Sequence, residues 1–296
     1  METGQRRTAL VTGTGGIGFE VARALHSKGW AILLAGRDNE RGTAACDRIA
    51  AEPGDGRVHF VPLDLANLAS VANLANLLKA REQRLDVLVN NAGVTAGPVR
   101  QSTSDGFESQ IGTNYLGHFA LTGQLLPLLT RSSAPRVVSV TSLSSKSGVL
   151  DFEDFTMETR YNPIQAYSRS KLALLTFSLE LQRRSLEQGW RVLSCAAHPG
   201  LSPTGILRGA IPSEGRRGAI QKLYKWIGHP PAAAAGSVVF AASSDEAEGG
   251  LQYGPSGLFG TKGKPKSVGV NKHARDLEAA RRLWSMSQDL TGSPFP

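Results

Sequence analysis

The chain has 296 residues, of which 41% are hydrophobic and 20% charged, a balance ordinary for a globular protein able to bury a sizeable core. Its net charge of +8 is scattered rather than gathered around aromatic residues, so nucleic-acid binding is not expected; a modest field that helps collect an anionic cofactor is the simpler reading. No apolar run approaches the roughly 18–20 residues needed to span a bilayer, and Met1 to Arg7 does not read as a signal peptide. Cys46 and Cys195 lie far apart and in no metal-ligand pattern, so no metal and a reducing, cytoplasmic setting are expected.

Short apolar runs alternate with amphipathic ones. Strands are predicted at residues 9–11, 31–34, 58–63, 87–89, 137–140 and 192–197. Between the first two, Ile17, Val21 and Leu25 recur every four residues, and residues 68–78 repeat that helical pattern. Near-continuous apolar strands separated by helices predict an α/β fold with a mainly parallel, doubly wound sheet covered on both faces. Nothing divides the chain, so a single domain over 1–296 is expected. Two segments depart from the alternation: a polar insertion at 143–162, and residues 201–230, rich in Gly, Pro and Arg but carrying Leu223, Tyr224, Trp226 and Ile227. Both are expected at the carboxyl edge of the sheet, where ligands bind. A tail helix is predicted over Lys272 to Met286, with Leu277, Leu283 and Trp284 buried.

The motifs fall at the strand ends. Gly13, Thr14, Gly15, Gly16, Ile17 and Gly18 follow the first strand and open the first helix, where glycines let the backbone approach a pyrophosphate at the helix's positive end. Gly36-Arg37-Asp38 closes the second strand. Arg37 suits the 2′-phosphate of NADP, whereas Asp38 reaching the ribose would restore NAD, so NADP(H) is preferred and NAD(H) is the alternative. Asp64-Leu65 ends the third strand; Asp64 reads either as a contact to the adenine amino group or as a helix cap. Tyr167 and Lys171, four residues apart, share one helix face, and a nearby ammonium lowers the pKa of a phenol that otherwise titrates near ~10.

Thr12-Gly13 with Gly16-Ile17-Gly18, Asn90-Asn91-Ala92-Gly93, Asn114, Ser142, Tyr167 with Lys171, and Pro199-Gly200 stand in the order of the short-chain dehydrogenase/reductase family. The chain resembles that family over roughly residues 6–260. Residues 114–119, Tyr161-Asn162-Pro163 and His198-Pro199-Gly200 are similar to retinol-dehydrogenase-like members. The resemblance implies a Rossmann fold with a cofactor half at roughly 6–140, a catalytic and substrate half at roughly 141–260, and an extension at roughly 261–296. It implies that Tyr167 exchanges a proton with the substrate oxygen, that Lys171 lowers its pKa and bonds the nicotinamide ribose, and that Ser142 holds the carbonyl. Asn114 would anchor a relay water. Asn91, Ala92 and Gly93 would flank the adenosine, and Pro199, Gly200 and Thr204 would hold the carboxamide. His118 and His198 read as packed residues rather than catalytic bases.

One departure stands out. The family's first loop has three residues between its first two glycines, whereas here only Thr14 and Gly15 separate Gly13 from Gly16. The expected function is an NADP-dependent oxidoreductase interconverting a small apolar carbonyl and its alcohol, with residues 201–230 as a lid. A non-catalytic NADP(H)-binding sensor or scaffold on the same fold is the alternative. A homodimer or homotetramer, common in the family, is the expected assembly.

Overall fold

Strands that are apolar on both faces set the architecture. The computed structural model describes residues 6–200, 230–257, 260–261 and 263–295. Its strands form one eight-stranded sheet in the order β3-β2-β1-β4-β5-β6-β7-β8. β1 (Thr8–Thr12), β2 (Ala31–Gly36), β3 (Arg57–Pro62), β4 (Val87–Asn90), β5 (Arg136–Val140) and β6 (Leu193–Ala197) are the six predicted strands, and they pair in parallel throughout. β4 and β5 are buried along their whole length, as a sheet sandwiched between helices requires.

Two further strands, β7 (Gln252–Pro255) and β8 (Pro265–Val268), extend the sheet, with β8 antiparallel to β7. The sequence did not announce them. Each is four residues long and contains a proline, which is tolerated here because it sits at a strand end.

The helices are α1 (Gly16–His26), α2 (Asn39–Ala50), α3 (Leu68–Arg81), α4 (Gly117–Leu129), α5 (Pro163–Gln188), α6 (Gly236–Ser243) and α7 (Leu277–Thr291). Alternation along each strand sorts its side chains between two cores. Leu10, Leu33, Leu88 and Val137 point to the side packed by α3, α4, α5 and α7. Ala9, Val11, Ile32, Leu34 and Val138 point to the side packed by α1, α2 and α6. The strand order changes direction between β1 and β4, which opens a crevice at their carboxyl ends.

The tail differs from expectation at its start. Asp276 caps α7 by accepting from the amides of Glu278 (3.0 Å) and Ala279 (3.1 Å), so Lys272–Arg275 is a separate 3-10 turn. Leu277 is thereby the first helical residue on the solvent side and is 54% exposed, not buried. Leu283 and Trp284 are buried as expected. Trp284 packs on Phe119, Phe177 and Phe295 with ring centroids 5.3, 5.8 and 4.4 Å away. Trp284→Ala is therefore expected to lower stability by about 3–5 kcal/mol. Denaturant unfolding checks this, and a loss below about 1 kcal/mol would mean the tail is not part of the core.

Candidate active site

The first turn of the site is built by glycines. Gly13 has φ 94°, a left-handed conformation that side chains resist, and its amide bonds the carbonyl of Ala35 at 2.7 Å. A Cβ on Gly18 would run into the Gly13 carbonyl, so α1 packs tightly against the loop. Gly15 caps α1 in extended conformation, with open space where a side chain would sit. The one-residue-shorter loop therefore still ends on the helix N-terminus, where free amides and the helix dipole favour an anion.

A cavity of about 1340 Å³ runs from this loop across the sheet crevice. Of the predicted site residues, it is lined by Gly13, Thr14, Gly15, Gly16, Ile17, Arg37, Asp64, Leu65, Asn91, Ala92, Gly93, Ser142, Tyr167, Lys171, Pro199 and Gly200. Gly18 and Asn114 stand behind this lining. Thr204, like the expected lid apart from Pro230, lies outside the described residues.

Asp38 caps α2 by accepting from the Arg41 amide at 3.0 Å and pairs with the Arg41 guanidinium at 3.3 Å, which commits its carboxylate locally. Asp64 accepts from the Ala66 amide at 3.0 Å, and α3 is capped by Asn67 instead. Arg41 and Arg48 join Arg37 along the cavity. Sequence reasoning missed these two, although their places on α2, four and eleven residues after Arg37, were a usable signal.

At the other end, α5 carries Tyr167 and Lys171. Asn162 caps this helix through Ile164 and Gln165 (3.0 Å each), Pro163 opens it, and Gly189 at φ 69° ends it. Ser142 follows β5 and caps the turn Leu143–Ser147. Among the neighbouring hydroxyls, Thr141 is turned inward to the carbonyl of Ala197 (3.2 Å) and Ser145 donates to the carbonyl of Ser142 (2.8 Å), whereas Ser142 lines the cavity together with Tyr167. Lys171 is buried, its ammonium donating to the Val140 carbonyl at 2.9 Å and lying 6.0 Å from the centre of the Tyr167 ring.

The protonation states correct one expectation. Burial raises the Tyr167 pKa and Ser142 opposes that rise, so the phenol of the free protein lies above its ordinary value, not below it. Burial pushes Lys171 down to about 8. Asn114 is hydrogen-bonded on both sides of its amide. Its side-chain oxygen accepts from the Val94 amide (2.7 Å), and its amide donates to the Val94 carbonyl and to Ser170 Oγ (3.0 Å each). That side chain is committed to joining the loop after β4 to α5. The polar insertion is placed beside the site, with Arg169 on α5 holding the carbonyls of Val149 and Phe155 (3.0 Å each). Of the insertion, Leu143 and Ser144 line the cavity, and Ser142, Pro163 and Ile164, which flank it in sequence, line it as well.

Comparison with known proteins agrees with this geometry. Residues 7–211 match the family model described as short chain dehydrogenase. The chain is 41% identical to mouse (Mus musculus) polyprenol dehydrogenase over 97% of this chain and 84% of the relative, and 38% identical to human (Homo sapiens) retinol dehydrogenase 13 over 98% and 86%. Among solved structures, an uncharacterized protein from Mycobacterium paratuberculosis shares 39% identity with a TM-score of 0.80, covering 98% of this chain and 95% of that one. The Pseudomonas aeruginosa RhlG/NADP active-site complex shares 28% identity with a TM-score of 0.65, covering 83% and 93%. With its mostly parallel sheet, its glycine turn and the Ser142, Tyr167 and Lys171 side chains at one cavity, the chain belongs to the short-chain dehydrogenase family, whose members are oxidoreductases acting on CH–OH groups.

Proposed function

We propose that this protein interconverts a carbonyl and an alcohol on a lipophilic or aromatic small molecule, using NADP(H) in preference to NAD(H). The observation that carries the reading is the placement of Ser142, Tyr167 and the buried Lys171, whose ammonium is held by the Val140 carbonyl, in the same cavity as the glycine turn and Arg37. The cavity fits the cofactor: amides at the start of α1 suit a pyrophosphate, and Arg37, with Arg41 and Arg48 nearby, suits a 2′-phosphate. When bound, NADP(H) supplies or accepts the hydride.

The protein's own residues handle the oxygen and its proton. Tyr167, held protonated at neutral pH by its raised pKa, donates to the carbonyl oxygen as negative charge develops there. Ser142 provides a second, fixed donor to that oxygen. Below pH 8 Lys171 keeps its charge and stabilises the phenolate that Tyr167 becomes. Val94, Ala96, Pro98, Leu143 and Ile164 supply an apolar wall for the rest of the substrate. The relatives named for polyprenol and retinol, both lipophilic alcohols, support that substrate class.

Three outcomes are expected. Tyr167→Phe cuts turnover with a carbonyl panel by about 10²–10⁴-fold while NADPH still binds; a wild type that binds NADPH and turns over nothing would favour a cofactor sensor instead. Arg37→Ala weakens NADPH by roughly 10–100-fold and NADH far less, and equal losses would sink the 2′-phosphate assignment. The third concerns Lys171, whose native pKa lies below its ordinary value of 10.5, so the unfolded state binds the extra proton between pH 8 and 10.5. Stability relative to Lys171→Met should rise by about 3 kcal/mol across that window; urea unfolding at pH 7.5 and 10.5 showing no change would refute the buried ammonium.

A further inference from the structure

We propose that His118 is a positioning residue of this site, its imidazole tying the Thr12 hydroxyl at the cofactor loop to the main-chain carbonyl of Asn114. The inference deepens the proposed function and rests on its assignment of Tyr167 and Lys171 to the site.

His118 is fully buried at the start of α4. Its Nδ1 lies 3.0 Å from the Asn114 carbonyl, and its Nε2 lies 2.9 Å from Thr12 Oγ1. A carbonyl can only accept, so Nδ1 carries the proton and Nε2 is bare in the neutral ring. Nε2 then accepts from the Thr12 hydroxyl, which is closer to it than to its other acceptor, the Val89 carbonyl at 3.2 Å. Burial, with a smaller contribution from the Lys171 charge, pushes His118 down to about 3, so the ring stays neutral over the working range of pH.

Each end of this tether reaches a different half of the site. Thr12 Oγ1 also accepts from the amides of Asn91 and Ala92 at 2.9 Å each, and all three residues line the cavity. Asn114 sits in the π-helical turn Gly112–Leu116 and bonds Ser170 Oγ, which in turn donates to the Tyr167 carbonyl at 2.8 Å. Single π turns inside helices are rare and often mark functional sites. The imidazole bonds this one, and through it the ends of β1 and β4 are tied to α5.

His118→Leu, His118→Asn and His118→Gln separate the two bonds. An asparagine amide stands where Nδ1 is and keeps the Asn114 bond; a glutamine reaches the Nε2 position and keeps the Thr12 bond. For each folded variant the NADPH dissociation constant is measured by fluorescence titration and kcat with a reducible carbonyl. His118→Leu is expected to lower kcat by about 10–100-fold through misplacement of the reacting groups and to weaken NADPH by about 5–10-fold through the lost hydrogen bonds. His118→Asn should recover most of kcat but not the affinity, and His118→Gln should recover affinity but not kcat. If His118→Leu leaves both quantities within about twofold of wild type, or if Asn and Gln lose both in parallel, the tether is overturned and the ring is packing alone. Should His118→Leu fail to fold, the Asn and Gln pair still decides. If wild type binds NADPH without turnover, the proposed function fails while the affinity arm still reads the Thr12 bond. In ¹⁵N-histidine spectra of the wild type, an Nε2–H tautomer for His118 would likewise contradict the arrangement.

Discussion

Lys171 is 2% exposed, and its ammonium donates to the carbonyl of Val140 at the end of β5. Holding a cation there is costly unless it is hydrogen-bonded and given something to do. Much of the surrounding architecture follows from that constraint. The ammonium must approach from α5, so the helix needs a firm N-terminus, which Asn162 and Pro163 provide. It must meet the carboxyl end of β5, which brings Ser142 into the same cavity as Tyr167.

The two ends of the cavity answer different electrostatic demands. Around the start of α1, free amides and Arg37 gather positive potential for phosphates without burying a charge, since Arg37 remains exposed. Around Lys171 the charge is buried, and burial pushes its pKa down to about 8. A helix terminus and a buried cation thus frame one crevice, and the reversal of strand order between β1 and β4 lets both reach it.

Much of this was legible in the sequence because the signals were local. Apolar runs marked the six parallel strands, and the glycine turn and the Tyr167–Lys171 spacing needed only neighbours along the chain. What escaped reading depends on contacts between distant residues. β7 and β8 are short, hold prolines, and exist because β6 offers an edge to pair with. The exposure of Leu277 depends on Asp276 being the cap, a choice the helical pattern alone does not make. The spacing of Tyr167 and Lys171 pointed to a lowered phenol pKa, but burial reverses that direction, and burial is a property of the whole fold. His118 is packed as the sequence suggested, but its partners, Thr12 and the Asn114 carbonyl, come together only in three dimensions.

The proposed function requires hydride and proton delivery to one carbonyl at the Tyr167 end of the cavity. Its most direct test is reduction of an apolar ketone or aldehyde by the wild-type protein with NADPH deuterated at C4 of the nicotinamide, followed by mass spectrometry of the alcohol. Deuterium on the carbinol carbon, with the hydroxyl proton drawn from solvent, is the predicted result. An alcohol without the label, or no alcohol from any carbonyl although NADPH binds, would contradict it.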